Sequence, residues 1–412
     1  MKSPAFSLGF LLVVYVVNHV DRQVMNILVE PIKQDLALSD GQIGWLVGGT
    51  FALFYTVAGL PIARLADRGN RRNIIAVALL VWSAMTVACG FARNFVQLLL
   101  ARIGVGVGEA GCTPPAHSMI SDSFPAEKRA TAISIYSLGV PIGTLLGLGF
   151  GGYLADDVGW HAAFMIVGLP GVLLAVMAWL FLEEPPRGAF DARGDEAIEP
   201  IGVAIRFMAR LPAIRHMLIG SAIQTLFLAG AAAFHSSYLV RVHDMSLTES
   251  GLWLGLVAGV AGGTSVFLSG VLADRLGKRD LRWYYWLPAL GGVLSLPFSF
   301  LAYTATDGLM AIVWMAVATL GNHQYSALGP AVLQGLVKPR MRATMSAATL
   351  FALNAVGFGI GPVVVGGLSD YFGGGVELRK ALLALIVFMV WAQIHYLLGA
   401  RSYVADLEAK NA

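Results

Sequence analysis

Charged residues are scarce in this sequence. Asp, Glu, Lys and Arg make up 13% of its 412 residues, whereas hydrophobic residues make up 57%. A soluble chain carries about 25% charged residues, because a folded surface must be wetted. This deficit, together with a mean hydropathy of +0.70, excludes an ordinary soluble enzyme and predicts an all-α membrane protein with many crossings.

Cysteine is almost absent as well. Cys89 and Cys112 each lie within an apolar run, so we expect no disulfide framework, no CxxC pair and no metal site. The net charge of +3 is small and its basic residues are scattered in short clusters, which argues against a nucleic-acid partner. We also expect no cofactor.

Long apolar segments separated by short polar ones dominate the chain. The first, at residues 5–20, resembles a signal peptide. Apolar sequence resumes after Arg22 without a small-x-small cleavage site, so we expect this segment to be retained. About 20 apolar residues cross a bilayer as a helix. The pattern predicts twelve spanning helices, at residues 6–30, 42–66, 73–92, 96–121, 130–154, 161–182, 214–241, 248–273, 283–304, 308–336, 343–371 and 378–399.

The longest polar stretch divides the predicted helices into two sets of six. It begins at Glu183 and is rich in Pro, Gly and charge, which is typical of a linker. We therefore predict an N-terminal six-helix bundle over residues 1–182, a cytoplasmic linker over 183–213, and a C-terminal bundle with a short cytoplasmic tail over 214–412.

Lysine and arginine are distributed unevenly between the loops. Cytoplasmic loops are expected to hold the excess of these residues, and most of the 28 fall on that side if the amino terminus is cytoplasmic. The predicted outer loops hold Lys33, Arg93, Arg241, Arg379 and Lys380. This asymmetry predicts an even number of spans with both termini cytoplasmic.

One loop sequence occurs twice. Residues 63–72, after the second predicted helix, read ARLADRGNRR, and residues 270–279, after the eighth, read GVLADRLGKR. The copies lie about half the chain apart, as in transporters built from two homologous halves around a central site. A plainer interpretation is that both loops are ordinary positive-inside anchors.

This loop resembles the loop signature of the major facilitator superfamily, and the sequence is similar to that family along nearly its whole length. The resemblance implies two six-helix bundles that alternate access to a central site, and transport rather than enzymatic activity. It also implies a gating role for the charged residues of the two loops, which are Asp67, Arg68, Arg71, Arg72, Asp274, Arg275, Lys278 and Arg279.

The fourth predicted helix carries Arg102, Gly106 and Gly108 within the segment RIGVGVGEAG. The segment contains a literal GxGxxG pattern, but it has no preceding strand and no loop that could hold a phosphate, so a dinucleotide site is rejected. Small residues at this spacing let helices approach closely in lipid. The pattern also resembles the superfamily's helix 4 signature, whose arginine is associated with proton coupling.

Helices 5 and 11 are rich in glycine. Gly139, Gly143 and Gly147 follow one another at four-residue spacing and resemble the superfamily's antiporter-type motif, but Leu148 stands where that motif has proline. The copy in helix 11 has one additional residue. Close helix packing, with a bend at Pro362, explains these glycines equally well, so the direction of transport stays open.

Ionisable residues inside the predicted helices are few, and such residues are normally retained for function because burying their charge in a bilayer is costly. Asp21 and Glu109 lie near the middle of helices 1 and 4. Arg102 precedes Glu109 by seven residues and shares its face, whereas the adjacent Asp21 and Arg22 point apart. Arg22 therefore needs a partner elsewhere, and Glu109 or an anionic substrate is the natural candidate.

The second half has no Asp, Glu, Lys or Arg well inside a predicted helix. Phe227, Phe234 and Tyr238 give its first helix an aromatic wall, which we take as substrate-binding; helix packing or lipid contact is the alternative for each. A pocket with one charged and one apolar wall suits an amphipathic molecule. An intramembrane hydrolase is disfavoured, because the adjacent His117 and Ser118 point apart and no third group is evident.

A closer resemblance is carried by four segments, NHVDR at 18–22, DRGNRR at 67–72, GVGVGEA at 104–110 and EEPPRG at 183–188. They are similar to the spinster family of lysolipid and sphingosine-1-phosphate transporters, most clearly over residues 15–190. Asn70 matches the spinster form of the loop, whereas His19 replaces the tyrosine of animal members. The resemblance implies that Asp21, Arg22 and Glu109 are the proton-coupling and head-group residues, and we assign proton coupling to Asp21 and Glu109 and the head group to Arg22. We also expect Asn18 to take part in substrate binding.

These observations predict a bacterial inner-membrane secondary transporter that moves an amphipathic lipid-like or organic anion by proton-coupled alternating access. It is expected to act as a monomer among membrane lipids. Burial would favour a neutral Glu109 while Arg22 binds an anionic head group, and Asp21 would be the second proton-binding group. The alternative is a proton-coupled transporter of small organic acids or drugs, because the Asp-Arg pair of helix 1 also occurs in superfamily transporters of organic acids.

Overall fold

The computed structural model describes residues 3–188, 201–338 and 341–411, and in these ranges the chain is helical and has no strand. Three π-helical segments, Trp45–Gly49, Val257–Gly262 and Ala352–Ile360, interrupt otherwise α-helical stretches, and Gly375–Glu377 is a short 3₁₀ turn. The α-helices are α1 (Pro4–Ile27), α2 (Val29–Asp35), α3 (Asp40–Gly44), α4 (Thr50–Arg68), α5 (Arg71–Cys89), α6 (Phe95–Glu109), α7 (Thr113–Ser123), α8 (Ala126–Ser137), α9 (Gly139–Phe181), α10 (Ile201–Arg210), α11 (Pro212–His243), α12 (Leu247–Leu256), α13 (Gly263–Leu276), α14 (Trp283–Thr304), α15 (Gly308–Asn322), α16 (Tyr325–Leu336), α17 (Arg342–Phe351), α18 (Gly361–Phe372) and α19 (Leu378–Asn411).

Ten helical segments among the described residues are long and apolar enough to cross a membrane. One of them, Glu127–Phe181, has 55 residues and is about 80 Å long at 1.5 Å per residue, so it contains two of the predicted crossings. The predicted tenth helix is divided into α15 and α16, each too short to be counted alone. The all-α membrane architecture with twelve crossings is therefore confirmed.

Proline and glycine residues interrupt the helices at two places in the first half of the chain. The fourth is not continuous: α6 ends at Glu109 and α7 begins at Thr113, because Pro114 and Pro115 have no N–H to donate to the preceding turn. Gly159, with φ +81°, interrupts α9 between the fifth and sixth predicted helices, a conformation that glycine adopts without steric cost.

The predicted linker is not wholly irregular. Its last part forms α10, and residues 189–200 lie outside the described part of the chain. Ahead of them, the chain leaves α9 at Leu182, and Glu184 turns back to bond with the start of α5, where Arg72 N donates to its Oε2 at 2.9 Å.

The described residues divide into two compact units. The first comprises those of Met1–Gly194 and Asp244–Gly255, and the second those of Asp195–His243 and Leu256–Ala412. Within the first unit α9 packs against α1 and α5, and α6 packs against α4 and α5. Within the second unit α11 packs against α18 and α19, and α14 packs against α15 and α19.

Candidate functional site

Four ionisable side chains lie together in the first unit: Asp21 and Arg22 on α1, and Arg102 and Glu109 on α6. Asp21 is 0%, Glu109 1% and Arg102 2% exposed. Two carboxylates and two guanidiniums balance one another when all four are ionised. Burial of this many charges is costly unless they compensate one another, so the cluster is the strongest candidate for a functional site.

Arg22 and Glu109 form a direct ion pair. Arg22 Nε donates to Glu109 Oε2 at 2.5 Å, and Glu109 is one of the two partners, with an anionic substrate, that the sequence suggested for Arg22. The Arg22 side chain is 26% exposed, whereas that of Glu109 is 0% exposed, and Glu109 Oε1 has no hydrogen-bond partner. Arg22 is thus the member of the cluster that a ligand can reach.

Asp21 points away from Arg22, as expected for neighbouring residues of a helix. Its Oδ2 accepts a hydrogen bond from Thr86 Oγ1 of α5 at 3.4 Å, and its Oδ1 has no partner. Glu109 and Arg102 both lie within electrostatic range of this carboxyl group. The two carboxyl groups therefore belong to one electrostatic cluster and influence each other's charge.

Phe51 of α4 contacts both arginines of the cluster. The Cζ atoms of Arg22 and Arg102 lie over its ring, 5.1 Å and 5.2 Å from the centroid. One helical turn later, Tyr55 lies 5.0 Å from Arg22 Cζ. Distances below about 6 Å are typical of cation–π interactions, so aromatic faces supply much of the environment of both guanidiniums.

The glycines of α6 permit this arrangement. A Cβ on Gly106 would lie 3.0 Å from the backbone oxygen of Phe51, and a Cβ on Gly108 would lie 2.6 Å from Trp82 N. Gly106 follows Arg102 by one turn, so the glycine that lets α6 approach Phe51 lies on the same face as the arginine. These residues lie within a helix and pack helices together, in agreement with the rejection of a dinucleotide loop.

Asn18 and His19 precede the charged pair on α1. Asn18 is 1% exposed, and its Nδ2 has no hydrogen-bond partner. His19 is buried, with its Nδ1 3.1 Å from the backbone oxygen of Tyr15. Asn18 lies one turn before Arg22 on the same face, so an unsatisfied donor lies near the accessible guanidinium.

The aromatic residues proposed for the second unit have different environments. Phe227 lines a small cavity between α11, α14 and α15. Phe234 and Tyr238 are fully buried, and Tyr238 OH donates to the backbone oxygen of Ala302 at 2.8 Å. The surroundings of Phe234 and Tyr238 are those of helix packing, and Phe227 is the one of the three that borders open space.

The charged loop residues also divide into two groups. Asp274 is exposed, and its Oδ1 accepts a hydrogen bond from Tyr284 OH at 3.1 Å. The side chain of Asp67 lies outside what the structure describes. Four of the predicted gating cations are exposed as well: Arg68, Arg275, Lys278 and Arg279.

Arg71 differs from these cations because it is 1% exposed. Its Nη1 donates to Asp122 and to Ser118 Oγ, the latter at 2.8 Å. Its Nε donates to Glu184 Oε1 at 2.7 Å and its Nη2 to Pro185 O at 2.9 Å. Arg71 thus joins the start of α5 to the end of α7 and to the segment after α9.

The residues considered for an intramembrane hydrolase are engaged elsewhere. Ser118 accepts its hydrogen bond from Arg71. The His117 ring packs edge-on against that of Tyr136, 5.4 Å between centroids. Among the described residues no group of three His, Cys, Asp or Glu could hold a metal ion. The geometry gives no support to a catalytic serine at this position.

Phe51, Tyr55 and Thr86 were not identified from the sequence. Aromatic residues and threonine are common in apolar helices, and nothing in their spacing marks these three. Asp122 and Glu184 were also missed as partners of Arg71, although Glu184 lies in the EEPPRG segment and an acidic residue close to a helix end is a recognisable signal.

The comparisons with known proteins cover almost the whole chain. The family model for the Major Facilitator Superfamily matches residues 11–362. The chain is 35% identical over 405 residues to an MFS-type efflux pump of Mycolicibacterium smegmatis, covering 97% of this chain and 94% of that protein. It is 27% identical to protein spinster homolog 1 of Bos taurus, covering 89% of this chain and 73% of that protein.

Solved structures that are similar in both sequence and fold include the following one. It is a bacterial homolog of the human lysosomal transporter Spinster in an inward-facing and unoccupied conformation. The TM-score is 0.91 with 32% sequence identity, and the match covers 98% of each chain. Sequence and fold therefore agree on the same group of membrane transporters, and the resemblance inferred from the four segments is confirmed.

Proposed function

Because the chain belongs to the Major Facilitator Superfamily, we propose that it is a secondary active transporter that moves an amphipathic anion across a membrane together with a proton. The observation that carries this proposal is the buried, charge-balanced cluster of Asp21, Arg22, Arg102 and Glu109, in which Arg22 alone is substantially exposed. We place the protein in the inner membrane of a bacterial cell, as a monomer.

Charge balance explains why a proton would accompany the anion. With all four groups ionised the cluster is neutral, so an entering anion would leave one uncompensated negative charge in a medium of low dielectric constant. A proton on Glu109 or Asp21 restores neutrality. The cluster is then neutral when it holds both the anion and the proton, or neither of them. This condition couples the movement of the anion to that of the proton.

Arg22 and Glu109 would exchange partners during the cycle. In the structure Glu109 accepts from Arg22 Nε at 2.5 Å. A protonated Glu109 no longer holds the guanidinium strongly, and Arg22 is then free to form charge-assisted hydrogen bonds with a phosphate or carboxylate. Asn18 Nδ2 offers a further donor nearby, and Asp21 is the second proton-binding group.

We propose a lipid-like anion as the substrate, because Arg22 has the aromatic faces of Phe51 and Tyr55 beside it. An anionic head group and an apolar body can both be accommodated in such surroundings. The alternative is a small organic acid or drug anion. Arg22 would recognise a carboxylate as well as a phosphate, and this keeps the alternative open.

The experiment is uptake into liposomes under an imposed pH gradient. Wild-type protein should accumulate a labelled anionic lysophospholipid against its gradient when the donor side is acidic. Glu109→Gln and Asp21→Asn should lose this uphill movement, whereas the exposed Glu127→Gln is the matched control and should retain it. Uphill transport that persists in the two buried variants would refute the proton assignment.

The substrate class is tested separately in the same liposomes. An excess of unlabelled lysophosphatidic acid should compete with the label, and an excess of a sugar acid such as glucuronate should not. The opposite pattern would support the organic-acid alternative and leave the coupling mechanism intact.

A further inference from the structure

We propose that Phe51 is a positioning residue that holds the guanidiniums of Arg22 and Arg102 against one ring. We further propose that Phe51 and Tyr55 form the aromatic surface over which Arg22 moves between Glu109 and the anion. The expected effects on transport rest on the proposed function, but the contacts of Phe51 with the two arginines can be tested without a transport assay.

The arrangement is specific in distance and direction. Arg22 Cζ and Arg102 Cζ lie over the Phe51 ring at 5.1 Å and 5.2 Å from its centroid. Phe51 is 8% exposed, so water screens these contacts little. The face of an aromatic ring carries a partial negative charge, and a desolvated cation over it is stabilised more strongly than one exposed to water.

Two guanidiniums near one ring repel each other, and an aliphatic side chain would not offset this repulsion. Replacing the ring by an aliphatic group would leave two cations balanced only by Asp21 and Glu109. An additional carboxylate would give the cluster a net negative charge, attract protons and bind Arg22 permanently. A phenyl ring attracts both cations and does not titrate, which is the property required beside a proton-binding site.

The two arginines differ in how they are held. Arg22 has a second ring available, since Tyr55 lies 5.0 Å from its Cζ and stacks on Phe51 with 5.8 Å between ring centroids. Among the described contacts Arg102 has Phe51 alone as its aromatic partner, and its Nε has no hydrogen-bond partner. Phe51 therefore keeps Arg102 in place while Arg22 has an adjoining surface to move onto.

The local backbone supports this role. A π-helical segment, Trp45–Gly49, ends just before α4 begins at Thr50, and such segments change the direction in which the following residues face. On the opposing helix, Gly106 allows α6 to approach Phe51, because a Cβ at this position would lie only 3.0 Å from Phe51 O. Arg102, one turn earlier on that face, is thereby brought over the ring.

The decisive experiment replaces Phe51 by phenylalanines carrying one, two and three fluorine atoms. Fluorine withdraws electron density from the ring face and hardly changes its volume. We expect the lysophospholipid concentration for half-maximal uptake to rise stepwise, reaching roughly fivefold with three fluorines, while the thermal unfolding temperature stays constant. The same series at the fully buried Phe164 is the control and should leave uptake unchanged.

Two results of this series would overturn the inference. One is an unchanged half-saturation concentration across the Phe51 series, and the other is an equal loss in the Phe164 series, which would attribute the effect to packing. Tyr55→Leu extends the test, because it should raise the half-saturation concentration without moving Arg102. A wild-type protein without pH-driven uptake would instead contradict the proposed function.

The geometry itself is tested by fluorine NMR of detergent-solubilised protein with one fluorine on the Phe51 ring. Arg22→Gln and Arg102→Gln should each shift this resonance, because each removes a charge from the ring face. The exposed Arg93→Gln should not. If neither buried arginine affected the resonance, the shared-ring arrangement would be wrong, whatever the transport assays gave.

Discussion

The hydroxyl of Thr86 on α5 donates to Asp21 Oδ2 on α1 at 3.4 Å. Thr86 is 1% exposed and Asp21 0%, so this contact is closed to bulk water. The other oxygen, Oδ1, has no hydrogen-bond partner. A helix that contributes no charge to the cluster thus supports one of its two carboxyl groups.

Thr86→Val should move the pH profile of transport, because valine has the shape of threonine but no hydroxyl to stabilise ionised Asp21. Asp21 would then be easier to protonate, and the profile should shift to higher pH by about half a unit for a weak hydrogen bond. Thr86→Ser, which keeps the hydroxyl, should retain the wild-type profile. Uptake measured between pH 5 and 9 checks this, and equal shifts in both variants would contradict it.

Alanine substitutions at Gly106 and Gly108 of α6 should reduce stability, and the substitution whose Cβ lies closer to a neighbouring atom should reduce it more. A Cβ at position 108 would meet the backbone of Trp82 at 2.6 Å, whereas one at 106 would meet Phe51 O at 3.0 Å. We expect Gly108→Ala to cost about 3 kcal/mol and Gly106→Ala about 1 kcal/mol. Gly9→Ala, where nothing lies within 4 Å, is the control and should not destabilise. Thermal unfolding in detergent gives the order, and any other ranking would mean that α6 is packed differently.

Arg71→Gln should strongly destabilise the first unit. It would leave Asp122 and Glu184, whose side chains are 10% and 23% exposed, without their buried guanidinium, and breaking such a pair costs about 3 kcal/mol. Arg71→Lys should recover part of the loss, because one ammonium cannot replace donors directed at several acceptors. Denaturant unfolding measures both against the exposed Arg68→Gln, which should stay within about 0.5 kcal/mol of wild type.

Composition and periodicity were sufficient to predict the fold, because a bilayer admits few solutions other than helices of the right length. The same reasoning led to Asp21, Arg22, Arg102 and Glu109, since ionisable residues are conspicuous in apolar segments. The spacing also predicted that Arg22 needs a partner other than Asp21, either Glu109 or an anionic substrate, because adjacent helical residues face different neighbours. These inferences needed only local geometry and the cost of burying charge.

Contacts between distant helices could not be derived in this way. Phe51 is one aromatic residue among many in the apolar segments, and only the approach of α6 through Gly106 brings Arg102 over its ring. Arg71 has the same sequence signature as exposed Arg68, and its burial depends on Asp122 from α7 and Glu184 from the segment after α9. The break after Glu109 was likewise missed, although Pro114 and Pro115 indicate it.

The second unit offers a test of buried polar packing that is independent of transport. Gln393 Nε2 donates to Gln224 Oε1 at 2.8 Å, and the two residues are 3% and 2% exposed. Gln393→Met should cost about 2 kcal/mol, because it leaves Gln224 Oε1 without this donor.

The double variant Gln224→Met with Gln393→Met should cost less than the sum of the two single changes, since it removes both partners and leaves an apolar contact of similar shape. The exposed Gln34→Met measures the effect of the substitution itself. Unfolding free energies of the four proteins in this cycle give the coupling directly. Strictly additive costs would mean that the two amides stabilise the unit separately, through their contacts with Met389 and Asn322.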